Sequence, residues 1–172
     1  MSQLSSVFLR ALEPEDLDLL YTIENDATLW SVSQERSHYS KFVLKQYLAS
    51  QPANIFQLGE LRLVICEKIT QQPIGLIDLT EFSPIDGRAE ISICLLSDCR
   101  GRGYGKAAIQ EIEKYAAEVL RMKFLFAKVS KTTNPISMQL FQSMAYEEVA
   151  VLPAWHYGKN GYEDLAILKK ML

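Results

Sequence analysis

Cysteine is scarce in this chain, and its three residues, Cys66, Cys94 and Cys99, are odd in number. They lack the paired spacing of a metal or redox site, and Cys66 and Cys94 fall inside apolar strand patterns. They are expected to be reduced core or near-core residues of a cytoplasmic protein, with no metal bound. No basic-then-apolar leader opens the chain, and no apolar run nears the roughly 18 residues that a membrane span needs. No membrane partner is therefore expected. Positive charge is not in excess either: 18 Lys and Arg face 21 Asp and Glu, a net charge of -3. That argues against nucleic acid as a partner and is compatible with a cationic substrate. Internal repeats, low-complexity tracts and linkers are all missing. What remains is an ordinary globular composition over 172 residues, enough for a single domain over 1–172 with a full core.

The patterning gives a coarse order of elements. Val7 to Leu12 reads as a strand. Glu13-Pro14-Glu15-Asp16 opens a helix running to about Asn25, with Pro in the first turn and acids at the positive end. Residues 26–37 are irregular, with Trp30 exposed by pattern. Tyr39 to Ser50 reads as a second helix with Phe42, Val43, Tyr47 and Leu48 on one face. Strands follow at Leu61–Cys66 and Ile74–Phe82, and Pro84 to Gly87 turns the chain into a third at Ala89–Leu96. A helix from Lys106 to Leu120 is expected to bury Ile109, Ile112, Tyr115, Ala116 and Val119. Phe124–Val129 is a buried strand. Asn134 caps a short helix that has Pro135 at its first position and Ile136, Leu140, Phe141 and Met144 on its apolar face. Strands at Glu147–Leu152 and Glu163–Leu168 close the chain, joined by an irregular Pro153–Gly161 segment. The order β-α-α-β-β-β-α-β-α-β-β is an α/β (α+β) arrangement: a mixed sheet with helices on its faces.

Between the strand ending near Leu96 and the helix from Lys106 lies Cys99-Arg100-Gly101-Arg102-Gly103-Tyr104-Gly105-Lys106. Strand, glycine-rich turn, helix is a layout that points free backbone N–H groups at an anion. A nucleotide P-loop does not fit: Gly101 and Gly105 are one residue too close, and Ala107 replaces the metal-binding hydroxyl. A dinucleotide fingerprint fits Gly103-Tyr104-Gly105 on the surface. It wants an acid about 20 residues on, where this chain has Lys123, Lys128 and Lys131. A bare turn without a ligand needs far fewer glycines and cations. A cradle for the pyrophosphate of coenzyme A is the reading left.

At this point the residues resemble a known family. Arg100-x-x-Gly103-x-Gly105 is similar to the Gln/Arg-x-x-Gly-x-Gly/Ala motif of the GCN5-related N-acetyltransferases. The opening Leu9-Arg10-Ala11-Leu12-Glu13-Pro14-Glu15-Asp16-Leu17 resembles the branch that holds the ribosomal-protein N-terminal and spermidine acetyltransferases, and so does Arg88-Ala89-Glu90-Ile91. Asn134, Ser137 and the run Leu140 to Tyr146 resemble the family's Asn-x-x-Ser/Ala-x-x-Leu-Tyr-x-x-x-Gly-Phe segment. Gly161-Tyr162-Glu163-Asp164 is like that branch as well. The resemblance spans nearly the whole chain. It implies a mostly antiparallel sheet of about seven strands flanked by about four helices, acetyl-CoA as co-substrate, a homodimer or larger homo-oligomer, and acetyl transfer to an amine. Polyamines or other small amines come first as acceptors, then protein N-terminal amines, then amino sugars or drugs.

The expected roles follow. N–H groups from Gly101 to Lys106 hold the pyrophosphate, and Arg100, Arg102 and Lys106 add charge, with Tyr104 in the same stretch. Ile93 and Leu95 would pair by backbone with the pantetheine arm, in the manner of an added strand. Asn134, with Ser137 and Phe141, is implied on the coenzyme side, although capping alone explains Asn134. The amine must lose a proton before attack, since an alkylamine has a pKa of about 10.4. Glu90, then Glu81 and Asp78, are the carboxylates placed to take it; His156 is an alternative base. Trp30, Trp155 and His156, with acids such as Glu35, are expected on the acceptor side. Phe141 departs from the family: it stands where many members carry a tyrosine that protonates the departing thiolate. A non-catalytic acyl-CoA-binding or regulatory module is therefore the alternative.

Overall fold

The computed structural model describes residues 6–32, 36–50 and 54–172. Its strands are β1 (Val7–Ala11), β2 (Leu61–Glu67), β3 (Pro73–Ser83), β4 (Arg88–Leu95), β5 (Phe124–Ser130), β6 (Glu147–Gly158) and β7 (Gly161–Met171). Its helices are α1 (Leu17–Glu24), α2 (Lys41–Ala49), α3 (Ile55–Leu58), α4 (Tyr104–Glu118) and α5 (Pro135–Ser143). The strands make one sheet in the order β1-β2-β3-β4-β5-β7-β6. All neighbours run antiparallel except β4 and β5, which are parallel.

The sheet buries both faces. On one side α4 lays Ile109, Ile112 and Ala116 against Ile65, Ile77, Ile91 and Leu125. These residues fall at helical spacing on α4 and at every second position on the strands, so one stripe meets one sheet face. On the other side Leu19 and Leu20 of α1 and Leu44 of α2 cover Val64, Cys66 and Leu76. The entry to α1 is fixed by Asp16, which is buried and takes two guanidinium N–H bonds from Arg10, at 2.6 and 2.8 Å. Its Oδ2 also accepts the Glu13 backbone N–H at 2.8 Å, one arm of a capping box. Burial works against the charge on Asp16, and the bonds from Arg10 and the Glu13 amide outweigh it, so its pKa is lowered.

The fold class expected from the sequence is the one observed, with differences that have physical reasons. Five α-helices are present among the described residues, where about four were expected; α3 is a single short turn capped by Asn54, whose side chain accepts the Phe56 N–H. The face expected on α2 is displaced, since Phe42 and Val43 are exposed and Leu44 is buried. Val119 lies past the end of α4 and is exposed, as is Ile136 in the first turn of α5. The largest difference is at 153–161. β6 continues to Gly158 and β7 begins at Gly161, so a tight hairpin replaces the expected irregular segment. Pro153 is tolerated because β6 is the edge strand, where a missing N–H breaks no ladder. A register shift between Leu152 and His156, with Ala154 at φ 49, absorbs it.

Candidate active site

β4 and β5 pair only from Arg88–Phe124 to Glu90–Phe126. Beyond those pairs both strands continue, to Leu95 and Ser130, but no longer bond to one another. A wedge opens there, with the backbone edge of Ile91 to Leu95 unpaired on the β5 side. The strands are parallel, so both lead from the wedge into helix N-termini: β4 into α4 and β5 into α5.

At the α4 end, Gly101 and Gly103 have φ of 74 and 84. This left-handed backbone is readily available only to glycine. A Cβ at either position would meet no protein atom within 4 Å. The requirement from the fold at these two positions is therefore backbone angle rather than room. Gly103 is the N-cap and supplies no side-chain acceptor. The first helical bond runs from the Ala107 N–H to the Gly103 carbonyl at 3.2 Å. The N–H groups from Gly101 to Lys106 consequently have no acceptor among the described residues, at the positive end of a 15-residue helix. Arg102 and Lys106 are exposed beside them. Arg100 folds back, its Nε donating to the Leu95 carbonyl at 3.0 Å. The Tyr104 hydroxyl is bonded to Glu67, so that residue offers the cradle its backbone. Gly105 is the close-packed glycine: a Cβ there would lie 3.3 Å from Leu140 of α5.

At the α5 end, the Asn134 side chain accepts the Ser137 N–H at 3.2 Å, the expected cap. Phe141 is only 3 % exposed and packs edge-on against Tyr146, with ring centroids 5.0 Å apart. The structure thus packs Phe141 into the core.

The carboxylates gather on the face covered by α1 and α2. The register pairs Arg62 with Asp78, Asp78 with Ser92, Thr80 with Glu90 and Glu90 with Phe126. Residues opposite one another across a sheet share a face. Two ion-paired clusters result. In the first, Asp78 accepts two bonds from Arg62, at 2.9 Å each, and Arg62 also reaches Glu24 at 2.6 Å. Burial disfavours the Arg62 charge, but Asp78 and Glu24 outweigh it and raise its pKa. In the second, Lys128 on β5 contacts Glu90 at 3.0 Å and is bonded to Glu81. Glu81 reaches it from an irregularity in β3 between Thr80 and Ser83, with φ 47, which turns its side chain toward β5.

The environments separate these acids. Burial raises the Glu90 pKa; Lys128 opposes that shift without cancelling it. The bond from Lys128 lowers that of the more exposed Glu81. Burial disfavours the Lys128 ammonium, and the bonds to Glu81 and Glu90 overcome it, so its pKa is raised. Nearby, burial pushes the Cys94 thiol up to about 11, leaving it neutral and unreactive at neutral pH. The Glu90 proton affinity is thus shifted toward the working range of a general base and that of Glu81 away from it, while Asp78 is held in a bidentate pair with Arg62.

The acceptor residues are only partly brought together. His156 Nε2 lies 2.7 Å from the Ser31 carbonyl. As an N–H donor there it ties the β6–β7 hairpin to the segment after α1. Trp30 is half-buried rather than exposed, edge-on to His38 at 4.7 Å, with its Nε1 buried and unbonded. Trp155 is 65 % exposed and does not join them. Glu35 lies outside the described residues. Sequence reasoning missed Arg62 and Lys128 as members of the site. Alternation puts each on a strand face, but only the register says which acids they meet. Among the described residues no group of acids, histidines and cysteines could hold a metal ion, and no helix is long and apolar enough to cross a membrane.

Residues 6–146 match the family model of the acetyltransferase (GNAT) domain. The spermidine N(1)-acetyltransferase of Vibrio cholerae is 25% identical over 161 residues, 94% of this chain and 90% of that protein. Its counterpart in Escherichia coli K12 is 27% identical over 146 residues, 85% of this chain and 75% of that protein. Among solved structures, a Vibrio cholerae spermidine N-acetyltransferase in complex with CoA and spermine superposes with a TM-score of 0.86 at 23% identity, covering 97% of this chain and 96% of that one. A dodecameric form from Vibrio cholerae gives 0.79 at 24% identity, covering 97% and 94%. With the family model spanning most of the chain, and the wedge and free helix N-terminus in place, this chain belongs to the GNAT acetyltransferase family.

Proposed function

We propose that the protein transfers the acetyl group of acetyl-CoA to a primary amine by direct attack in a ternary complex, with Glu90 as general base. The observation that carries this is the position of Glu90. It is the last residue of β4 paired to β5, at the point where the wedge begins, and its side chain is partly buried. The free N–H groups of Gly101 to Lys106, with Arg102 and Lys106, would hold the pyrophosphate. The unpaired edge of β4 at Ile93 and Leu95 would bond the pantetheine arm and polarise the thioester carbonyl.

In this reading the amine gives its proton to Glu90, directly or through water, and its nitrogen attacks the thioester carbon. The tetrahedral adduct collapses with cleavage of the C–S bond, and the thiolate leaves. Phe141 has no proton to give. A thiol pKa near the cysteine value of about 8.5 makes the thiolate a competent leaving group that solvent can protonate. The two relatives above are named for spermidine, which supports small aliphatic amines as acceptors ahead of protein N-terminal amines. The dodecamer of the Vibrio cholerae protein and the exposed Val149, Val151, Tyr157 and Tyr162 of the β6–β7 edge support a homo-oligomer.

The buried Phe141 also favours a second reading, an acyl-CoA-binding module without turnover. Release of CoA thiol, measured with acetyl-CoA and a panel of primary amines, separates the two. Amine-dependent release supports the enzyme; tight coenzyme binding with no release across the panel supports the module.

A further inference from the structure

Several acids on the acceptor face already have a cation from the chain itself. Four carboxylates, Glu24, Asp78, Glu81 and Glu90, are met by two side chains, Arg62 and Lys128, each bridging two acids. The two cations are unlike in placement. Arg62 joins β2 to β3 and α1 away from the wedge, and its bidentate bond to Asp78 braces the sheet. Lys128 lies on β5, two residues beyond the last β4–β5 pair, so its stem rises from the diverging wall of the wedge. Its ammonium lies against Glu90, and Phe126 of the same strand sits beneath it with the ring centroid 5.7 Å away. A second cation, Arg88, flanks the same ring at 5.8 Å.

We propose that Lys128 is a specificity-determining residue that stands in for the second ammonium of a polyamine, so that the preferred acceptor is a monoamine with an uncharged tail. The inference deepens the acetyl-transfer reading and rests on it. An acceptor must bring one nitrogen to Glu90. A further ammonium a few carbons along its chain would seek Glu81, the next carboxylate, and that acid is already bonded to Lys128. A diamine would have to displace the lysine or sit beside it, like charge against like charge in a half-buried site. A monoamine meets Lys128 only once, at Glu90, and its apolar tail can lie along Phe126.

The test compares butylamine, 1,4-diaminobutane and spermidine as acceptors for the full-length wild type, Lys128→Gln and Lys128→Arg. The first two amines share a carbon chain and differ by one ammonium. The wild type is expected to favour butylamine. Lys128→Gln is expected to raise the diamine-to-monoamine ratio of kcat/KM on the order of tenfold, mostly through KM, as expected for an opened charge site. Lys128→Arg keeps the charge and should keep the wild-type ratio. A ratio unchanged in Lys128→Gln overturns the proposal, as does a wild type that prefers spermidine to butylamine. If no amine is acetylated by any variant, the acetyl-transfer reading fails by itself. Spermidine binding to the CoA-loaded protein then decides the role of Lys128: tighter binding in Lys128→Gln supports it, and equal binding overturns it.

Discussion

Replacing Glu90 by Gln removes the proposed base while nearly preserving its volume and its contact with Lys128. At pH 7, an alkylamine with a pKa of about 10.4 is neutral in roughly one molecule in 2,500. The wild type escapes that limit by taking the proton within the ternary complex. A positioned general base contributes about 10²–10⁴ in rate, so kcat/KM at pH 7 should fall by that factor in Glu90→Gln. The deficit should then shrink about tenfold per pH unit as pH rises toward the amine pKa, because solution supplies the neutral amine. Lys128 still has Glu81 as a partner in the variant, so folding should be retained, which circular dichroism checks. The assay is CoA thiol release with butylamine from pH 6 to about 10. A loss under about threefold at pH 7, or a loss that does not change with pH, would falsify the assignment of Glu90 as base.

Other expectations follow from the same geometry. The wild-type kcat/KM should fall on the acid side through a pKa above the ordinary Glu value of about 4.3, since burial raises Glu90 and the base works only when deprotonated. Removing Lys128 takes away the group that opposes this shift; the remaining neighbour, Glu81 on β3, raises it, so the acid limb should move to higher pH in Lys128→Gln. For stability the sign is opposite at Glu81: its lowered pKa stabilises the fold above the unfolded carboxylate pKa, and that part is lost as pH falls through the folded value. Gly103→Glu should abolish coenzyme binding, measured by calorimetry, because it places a carboxylate among the free N–H groups. The forced left-handed backbone should cost only about 1–2 kcal/mol in denaturant unfolding. Asp16→Ala leaves Arg10 without its partner and the Glu13 N–H unbonded; unfolding free energy should drop by about 3 kcal/mol, and a change under about 0.5 kcal/mol would contradict the capping account. Phe141→Tyr should leave kcat within about threefold if solvent protonates the thiolate; a tenfold gain would mean that a missing acid limits turnover.

Much of this fold was legible because its signals are local. Asn134 and Pro135 announce a helix start in two residues, and α5 is capped by that same asparagine. The strand, glycine loop and helix around Gly103 are contiguous in the chain, so the proposed anion cradle needed no long-range information. What failed was non-local. That β6 runs through Pro153 depends on its being the edge strand, which is set by the order of the whole sheet. Val119 looked buried at helical spacing, but the helix ends one residue earlier. The pairing of Asp78 with Arg62 and of Glu81 and Glu90 with Lys128 is fixed by register across β2 to β5. A one-residue slip would have faced each acid with a different partner. The three candidate acids could be named from the sequence; their ranking needed the cations.

The central claim is that the wedge and the α4 N-terminus bind acetyl-CoA for amine acetylation at Glu90. Its most direct test incubates the purified protein with acetyl-CoA and butylamine, and follows CoA thiol and N-acetylbutylamine together in the wild type and in Glu90→Gln. The account predicts both products in equal amounts from the wild type and a loss of both by about 10²–10⁴ in the variant at pH 7. Thiol release without acetylated amine, or equal rates in the two proteins, would contradict it.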